Sequence, residues 1–280
     1  MTLFIFSIVI FAAFLHAAWN AMVKYENDKY LGVCAIVLGH VPASIVVIFL
    51  TPAPSIESFP YIIVSAILHV AYEWNLLSSY KFGDYTKVYP IARGTGPILV
   101  TIISLIFFSI ALSNFEILGI LTVCVGIFIL SFQNIESFKN NTAIMYALGT
   151  GFFIMSYSIT DGYGARVSNS PLSYMGWSFI INATIFPVLL NFKNKPGIIT
   201  KIFKKGKKIF FIGGTLSYVV YAIIVWSFTQ APIPLVATLR EISIIFALLI
   251  GTLFLKEKFT FLKIGATLTI FFGVVLLKFF

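Results

Sequence analysis

Charge is scarce in this sequence. Of its 280 residues only 10% are charged, and Asp plus Glu number ten, where a soluble domain carries about 25% charged residues. That excludes a soluble enzyme, a disordered chain and a nucleic-acid binder. Cysteine is almost absent too. Cys34 and Cys124 both lie inside apolar runs, which excludes a disulfide framework and gives no metal-ligand spacing. No glycine-rich loop ends in Lys-Ser or Lys-Thr, so no phosphate loop is present, and no other cofactor motif stands out. Between its apolar runs the chain leaves no stretch long enough for a folded soluble domain.

What the sequence does have is apolar bulk. Hydrophobic residues make up 59% of it, thirty residues are Phe, and the mean hydropathy is +0.99. A globule of this size cannot hide that surface, so the chain is an integral membrane protein whose first partner is the lipid bilayer. A bilayer core of about 30 Å needs about 20 apolar residues per helix. Hydropathy and turn punctuation predict ten spans, at approximately 2–23, 31–50, 60–81, 87–110, 116–133, 142–164, 172–191, 208–230, 233–254 and 262–278. The apolar N-terminus has no basic stretch and no small-residue cleavage site, so it is expected to be a permanent first span rather than a signal peptide.

The net charge of +9 then concerns orientation. Lys and Arg favour cytoplasmic loops. Loops after odd-numbered spans carry Lys24, Lys29, Lys81, Lys87, Lys139, Lys193, Lys195, Lys201, Lys204, Lys205, Lys207, Lys208, Lys256, Lys258 and Lys263. The other side has only Arg166 and Lys278. This bias, about half of it from the segment 193–208, predicts cytoplasmic odd loops and both termini outside.

Ten spans invite a division into two halves of five. At an offset of 148, SSYKFGDYTKVYPIARGTGPILV of spans three and four superposes without a gap on VWSFTQAPIPLVATLREISIIFA of spans eight and nine. Ser79 falls on Ser227, Val88 on Val236, Ile91 on Leu239 and Arg93 on Glu241. FEILG and FLKIG, opening spans five and ten, sit two residues out of step with that offset. Five is odd, so the second copy enters the membrane upside down. The expected fold is all-α: ten transmembrane helices as two inverted five-helix repeats, 1–135 and 142–280, with a site between them near the midplane.

These residues also carry a family resemblance. APIPLVATLRE and LFLKEKFT, together with the ten-helix layout, make the whole chain similar to EamA-type members of the drug/metabolite transporter superfamily, although Lys256 stands where that family's LxLGEx has Gly. HAAWNAMVK, GDYTKVYPIARG, DGYGAR and APIPLVATLRE further resemble the branch labelled phosphonate-utilisation-associated membrane proteins. The resemblance implies transport across a bacterial-type inner membrane without fixing the substrate. Members of the superfamily are usually described with cytoplasmic termini, opposite to the charge count here.

A charge at a helix centre costs about 2.5–3.5 kcal/mol on the insertion scale, so each one marks a candidate site. The candidates are His16, Asn20, Glu73, Arg93, Asp161, Arg240 and Glu241, with His40 and His69 behind them. Arg93 lies about six residues, roughly 9 Å, inside span four, and Tyr89 one turn earlier shares its face. Pro90 and Pro97 remove two backbone donors there, which predicts a broken helix lining a cavity. Arg93 is either a cation for an anionic substrate group or a partner for Glu241 or Glu73. Arg240 and Glu241 are about 100° apart on span nine, so one faces the cavity and the other a helix interface. A neutral pair across the cavity is cheap to bury. His16, Trp19, Asn20 and Lys24 share a face of span one; Tyr157 and Asp161 repeat the four-residue spacing in span six. His16 near a carboxylate could carry a proton, or be a hydrogen-bonded interior histidine. Glu73, mid-span, suits substrate-coupled protonation or an amine, or else pairs with an Arg. Trp19, Tyr72, Trp74, Tyr89, Tyr218, Tyr221 and Trp226 could line a pocket and stack on a cation.

Both charge signs at one depth point to a secondary transporter of a small organic metabolite, zwitterionic or anionic and amino-acid-like, working by alternating access with protons as one possible coupling ion. A channel would want a ring of like charges. A membrane-embedded enzyme would want paired Asp-rich motifs, HExxH or a nucleophile beside a base, and none is found. A monomer contains both halves and suffices, and a dimer is compatible.

Overall fold

The computed structural model describes residues 1–83, 85–131, 141–192, 197–255 and 260–279. Lys139, Lys193, Lys195, Lys256 and Lys258, the half-boundary near 135 and most of KEKFT lie outside them. The described residues form helices α1 (Leu3–Tyr25), α2 (Lys29–Leu50), α3 (Phe59–Phe82), α4 (Tyr85–Phe108), α5 (Asn114–Ser131), α6 (Asn141–Val167), α7 (Pro171–Phe192), α8 (Ile198–Lys205), α9 (Gly214–Gln230), α10 (Ile233–Arg240), α11 (Ser243–Leu255) and α12 (Phe261–Phe279). A 3₁₀ turn precedes α3 and a π turn, Ile209–Gly213, leads into α9. Ten of the resulting segments are long and apolar enough to cross a membrane. The protein is thus a multi-pass membrane protein.

The sequence sets the helix ends. Asp28 Oδ1 accepts from Leu31 N at the start of α2. Ser113 and Glu116 form a reciprocal capping box at α5: Glu116 N donates to Ser113 Oγ at 3.1 Å and Ser113 N donates to Glu116 Oε2 at 2.8 Å. Lys29 Nζ donates to the carbonyls of Val23, Lys24 and Glu26, closing the end of α1 with a cation. Most large apolar side chains on the outer surface, such as Phe49, Phe107 and Phe271, are exposed, as lipid-facing residues are. Helix α8 is different. Ile198 and Ile202 are buried while Lys201, Lys204 and Lys205 are exposed, so it lies as an amphipathic helix against α2 and α7.

Packing follows the two-half plan. Helix α3 packs on α6 and α7, and its counterpart α9 packs on α1 and α2. Helix α4 packs on α6, and its counterpart α10–α11 packs on α1. Two further pairs, α2 with α7 and α5 with α12, are their own counterparts. Small residues allow these approaches: a Cβ on Gly151 would stand 2.6 Å from Thr95 Cβ, and one on Gly96 2.7 Å from Ile154.

The break in the membrane helices is not where the prolines stand. Helix α4 is continuous through Pro90 and Pro97. Span nine is interrupted instead, at Glu241 and Ile242, where the ladder tightens: Glu241 N bonds Thr238 O, Ile242 N bonds Leu239 O, and Ile244 N bonds Glu241 O. No Pro or Gly stands at that point. What stands there is the buried charge.

Candidate functional site

A cavity of about 1030 Å³, its mouth included, opens between α1–α4 of the first half and α6, α7, α9 and α10 of the second. Its lining runs from Lys24, Lys29 and Tyr80, at the odd-loop face, to Arg93, Tyr157 and Arg240 at its floor. At 1.5 Å per residue, Glu73, nine residues before the end of α3, and Arg93, eight after the start of α4, lie at a similar depth of about 12–14 Å.

The floor is ionic. Arg93 Nε lies 2.6 Å from Glu241 Oε2, and Arg240 Nε lies 3.6 Å from Glu241 Oε1; all three side chains are at most 5% exposed. Neither Glu241 oxygen has an aligned hydrogen bond, so the contacts are between charges. Arg93 Nη2 donates to Ser243 Oγ at 3.1 Å, and the guanidinium sits 5.8 Å from the centre of the Tyr89 ring. Asn20 Nδ2 donates to the Tyr89 hydroxyl. Arg240 lies 5.9 Å from the Tyr157 ring centre, and its Nη2 is buried without a hydrogen-bond partner. Two cations against one carboxylate leave this floor with an excess positive charge.

A carboxylate faces the same cavity from α3. Glu73 is buried, lines the cavity, and accepts from Asn182 Nδ2 at 3.3 Å. It stands on a polar ladder between α3 and α7, which run the same way through the membrane. Tyr61 O lies 3.3 Å from the Tyr174 hydroxyl, Ser65 Oγ 2.9 Å from Ser178 Oγ, and Glu73 meets Asn182. The spacing of four keeps these residues on one face of each helix.

His69, on that same face of α3, turns instead to α6. Its Nε2 lies 3.2 Å from Asp161 Oδ2. The Tyr221 hydroxyl donates to the same oxygen at 2.5 Å, and the Tyr174 hydroxyl donates to Asp161 Oδ1 at 3.0 Å. Gly164 makes the approach possible, since a Cβ there would stand 2.5 Å from the Tyr174 ring. Nearer the even-loop face, Ser55 N and Oγ donate to the carbonyls of Ser168 and Val167. Arg166 donates to Phe228 O and Ala231 O, closing the end of α9. These contacts tie α3 and the turn before it to α6 and α7, and α6 to the end of α9, on the even-loop side.

Of the residues singled out in the sequence, Arg93, Tyr89, Glu73, Arg240, His16, Trp19, Asn20, Tyr157 and Tyr221 line the cavity. Glu241 lies behind the two arginines and Asp161 behind His69. Trp226 is outside, edge-on to Phe4 at 6.1 Å. The carboxylate–histidine contact expected at His16 occurs at His69, while His16 packs against Trp19. Glu73 has an amide for a partner rather than an Arg, and Arg93 takes Glu241. His40, Tyr72, Phe179 and Ser217 complete the wall. Asn182, Ser178 and Tyr174 were missed. A polar residue inside the apolar run SFIINATIF was the available signal for Asn182.

This arrangement defines a class: a membrane protein with ten candidate spans and a charged cavity among its helices. Residues 141–279, just under half of the chain, match the EamA-like transporter family. A solved crystal structure superposes on the chain with a TM-score of 0.72, covering 98% of this chain and 95% of that one at 14% identity, a likeness of fold. No curated protein sequence matches the chain.

Proposed function

We propose that the protein is a secondary transporter of a small amphoteric metabolite, amino-acid-like, with one carboxylate or phosphonate and one amine. The observation that carries this reading is the floor of the cavity. Arg240 presents a buried, unpartnered Nη2 beside a two-to-one excess of arginine over glutamate, and an unsatisfied buried donor favours an acceptor with charge. Glu73, at a similar depth with only a neutral amide on it, suits an amine. Trp19, Tyr72 and Tyr89 supply faces for the body of the solute and for its cation.

The two halves, parting near residues 135–142, would rock about this site, exposing it to one face at a time. Fifteen lysines on the odd-loop side support an inner-membrane orientation in which the cavity faces the cytoplasm and both termini lie outside. A monomer holds the whole site.

Counterflow of labelled solute in liposomes tests the proposal. Solutes with both an amine and an acidic group should exchange and compete with one another. R240Q should weaken their half-saturation at least tenfold, about 1.4 kcal/mol. No exchange across a panel of amino acids, aminophosphonates and quaternary amines would overturn it, as would a steady conductance in electrical recording.

A further inference from the structure

We propose that Lys201, Lys204, Lys205, Lys207 and Lys208 form a site for the phosphate of an anionic phospholipid at the odd-loop face. Binding of this kind does not depend on the transporter reading above. The segment 198–208 reads IITKIFKKGKK, with five lysines and no carboxylate. At 3.6 residues per turn the side chains of α8 fall on three faces. Ile198 and Ile202 point inward and are buried. Ile199 and Phe203 make a second stripe about 100° round from the first, and both are about half exposed. Lys201, Lys204 and Lys205 fill the remaining arc, centred roughly opposite Ile199 and Phe203, and are exposed. Gly206 ends the helix against Leu31 of α2, and Lys207 and Lys208, also exposed, follow it. A helix built this way lies flat in the interface, its apolar stripe among acyl chains and its lysines at the headgroups.

The protein supplies these lysines with no anion. Among the described residues the odd-loop face holds two carboxylates, Glu26 and Asp28. Both are engaged in the turn between α1 and α2: Asp28 Oδ1 caps α2 at Leu31 N, and Glu26 Oε1 accepts from Asp28 N at 3.2 Å. No ion pair among the described residues reaches any of the five lysines. The exposed Ile199 and Phe203 decide which anion fits. A free phosphate would leave them in water, whereas a phospholipid brings its phosphate to the lysines and its acyl chains to the stripe. Phe211 and Ile212, where span eight begins, are likewise about half exposed and extend that apolar surface. The seat of α8 also bears on the cavity. Ile198 and Ile202 belong to one buried cluster with Leu31, Ile36 and Val37 of α2, and Ile36 and Val37 line the cavity. A lipid that holds α8 in place therefore steadies that wall.

Native mass spectrometry of the full chain in mixed micelles tests the assignment. Phosphatidylglycerol and phosphatidylcholine with the same acyl chains are supplied in equal amounts, and the lipid retained on the protein is counted. The native protein should retain phosphatidylglycerol over phosphatidylcholine by at least tenfold. K204Q should lower that preference about fivefold, the share of one lysine near a headgroup. K201Q/K204Q/K205Q/K207Q/K208Q should retain the two lipids almost equally, whereas the same five changes to Arg should keep the preference. All five side chains are exposed, so these variants should melt within a few degrees of the native protein without lipid, which reports that they fold. Millimolar inorganic phosphate should not displace the phosphatidylglycerol. Equal retention of the two lipids by the native protein, or a preference left unreduced by the five Gln changes, would overturn the assignment. So would displacement by inorganic phosphate, which would make the patch a site for a soluble anion.

Discussion

Replacing Glu241 by Gln should destabilise the protein more than replacing either arginine it touches. The three side chains Arg93, Arg240 and Glu241 are almost wholly buried, with the carboxylate 2.6 Å from one guanidinium and 3.6 Å from the other. Removing one arginine leaves a neutral pair. Removing the carboxylate leaves two like charges in a low-dielectric floor with nothing between them. Breaking a buried pair from the side that strands charge costs about 3–5 kcal/mol. R93Q keeps the Arg240–Glu241 contact and loses mainly the bond to Ser243 and the closer ion contact, about 1–3 kcal/mol. With roughly 2–4 °C of melting temperature per kcal/mol, E241Q should melt about 10 °C lower than the native protein and R93Q about half as much lower. Thermal unfolding in detergent, followed by size-exclusion of the remaining folded fraction, measures both. The double variant R93E/E241R, which keeps the sum of charges, should be more stable than R93E alone. Equal losses for E241Q and R93Q, or a swap no better than the single reversal, would refute a floor held together by charge balance.

Other outcomes follow from the same contacts. E73Q should leave the melting temperature within a few degrees, because an amide can still meet Asn182, and weaken competition by amine-bearing solutes about tenfold in counterflow. G164A should cost about 1–3 kcal/mol by forcing a methyl against the Tyr174 ring and Tyr61, whereas G265A, with nothing within 4 Å, should be neutral in the same melting assay. A reporter fused after Phe280 should be active outside the cytoplasm. A reporter active only inside would reverse the orientation read from the lysines.

The spans were legible in the sequence because each must present about 20 apolar residues, and the punctuation between them is charged or rich in Pro and Ser. Much of the cavity was legible for the related reason that Arg93, Arg240 and Glu73 have no place in a lipid-facing helix. The break in span nine was not. Proline marks where a donor is missing, and α4 stays helical through two of them, while α10 ends at Glu241 under tertiary charge with no local residue to announce it. Nor could the Asp161 cluster be read in advance, since its four members come from α3, α6, α7 and α9 at separations of up to 152 residues along the chain. Trp226 illustrates the reverse error: an aromatic at the right depth on a lining helix, pointing at Phe4.

If the protein alternates its access as proposed, the unequal build of α4 and its counterpart has a consequence for the opposite state. In an inverted repeat, the other face opens when each half takes on the shape of its partner. Such an exchange would straighten span nine and carry its interruption to the equivalent position in α4. By the 148-residue offset that position is Arg93, and the residues on either side of it include Pro90 and Pro97, which give up two backbone bonds in advance. The first half would then hold in reserve the flexure that the second half displays, so that a single kink migrates between two helices while the total bending of the molecule stays nearly constant.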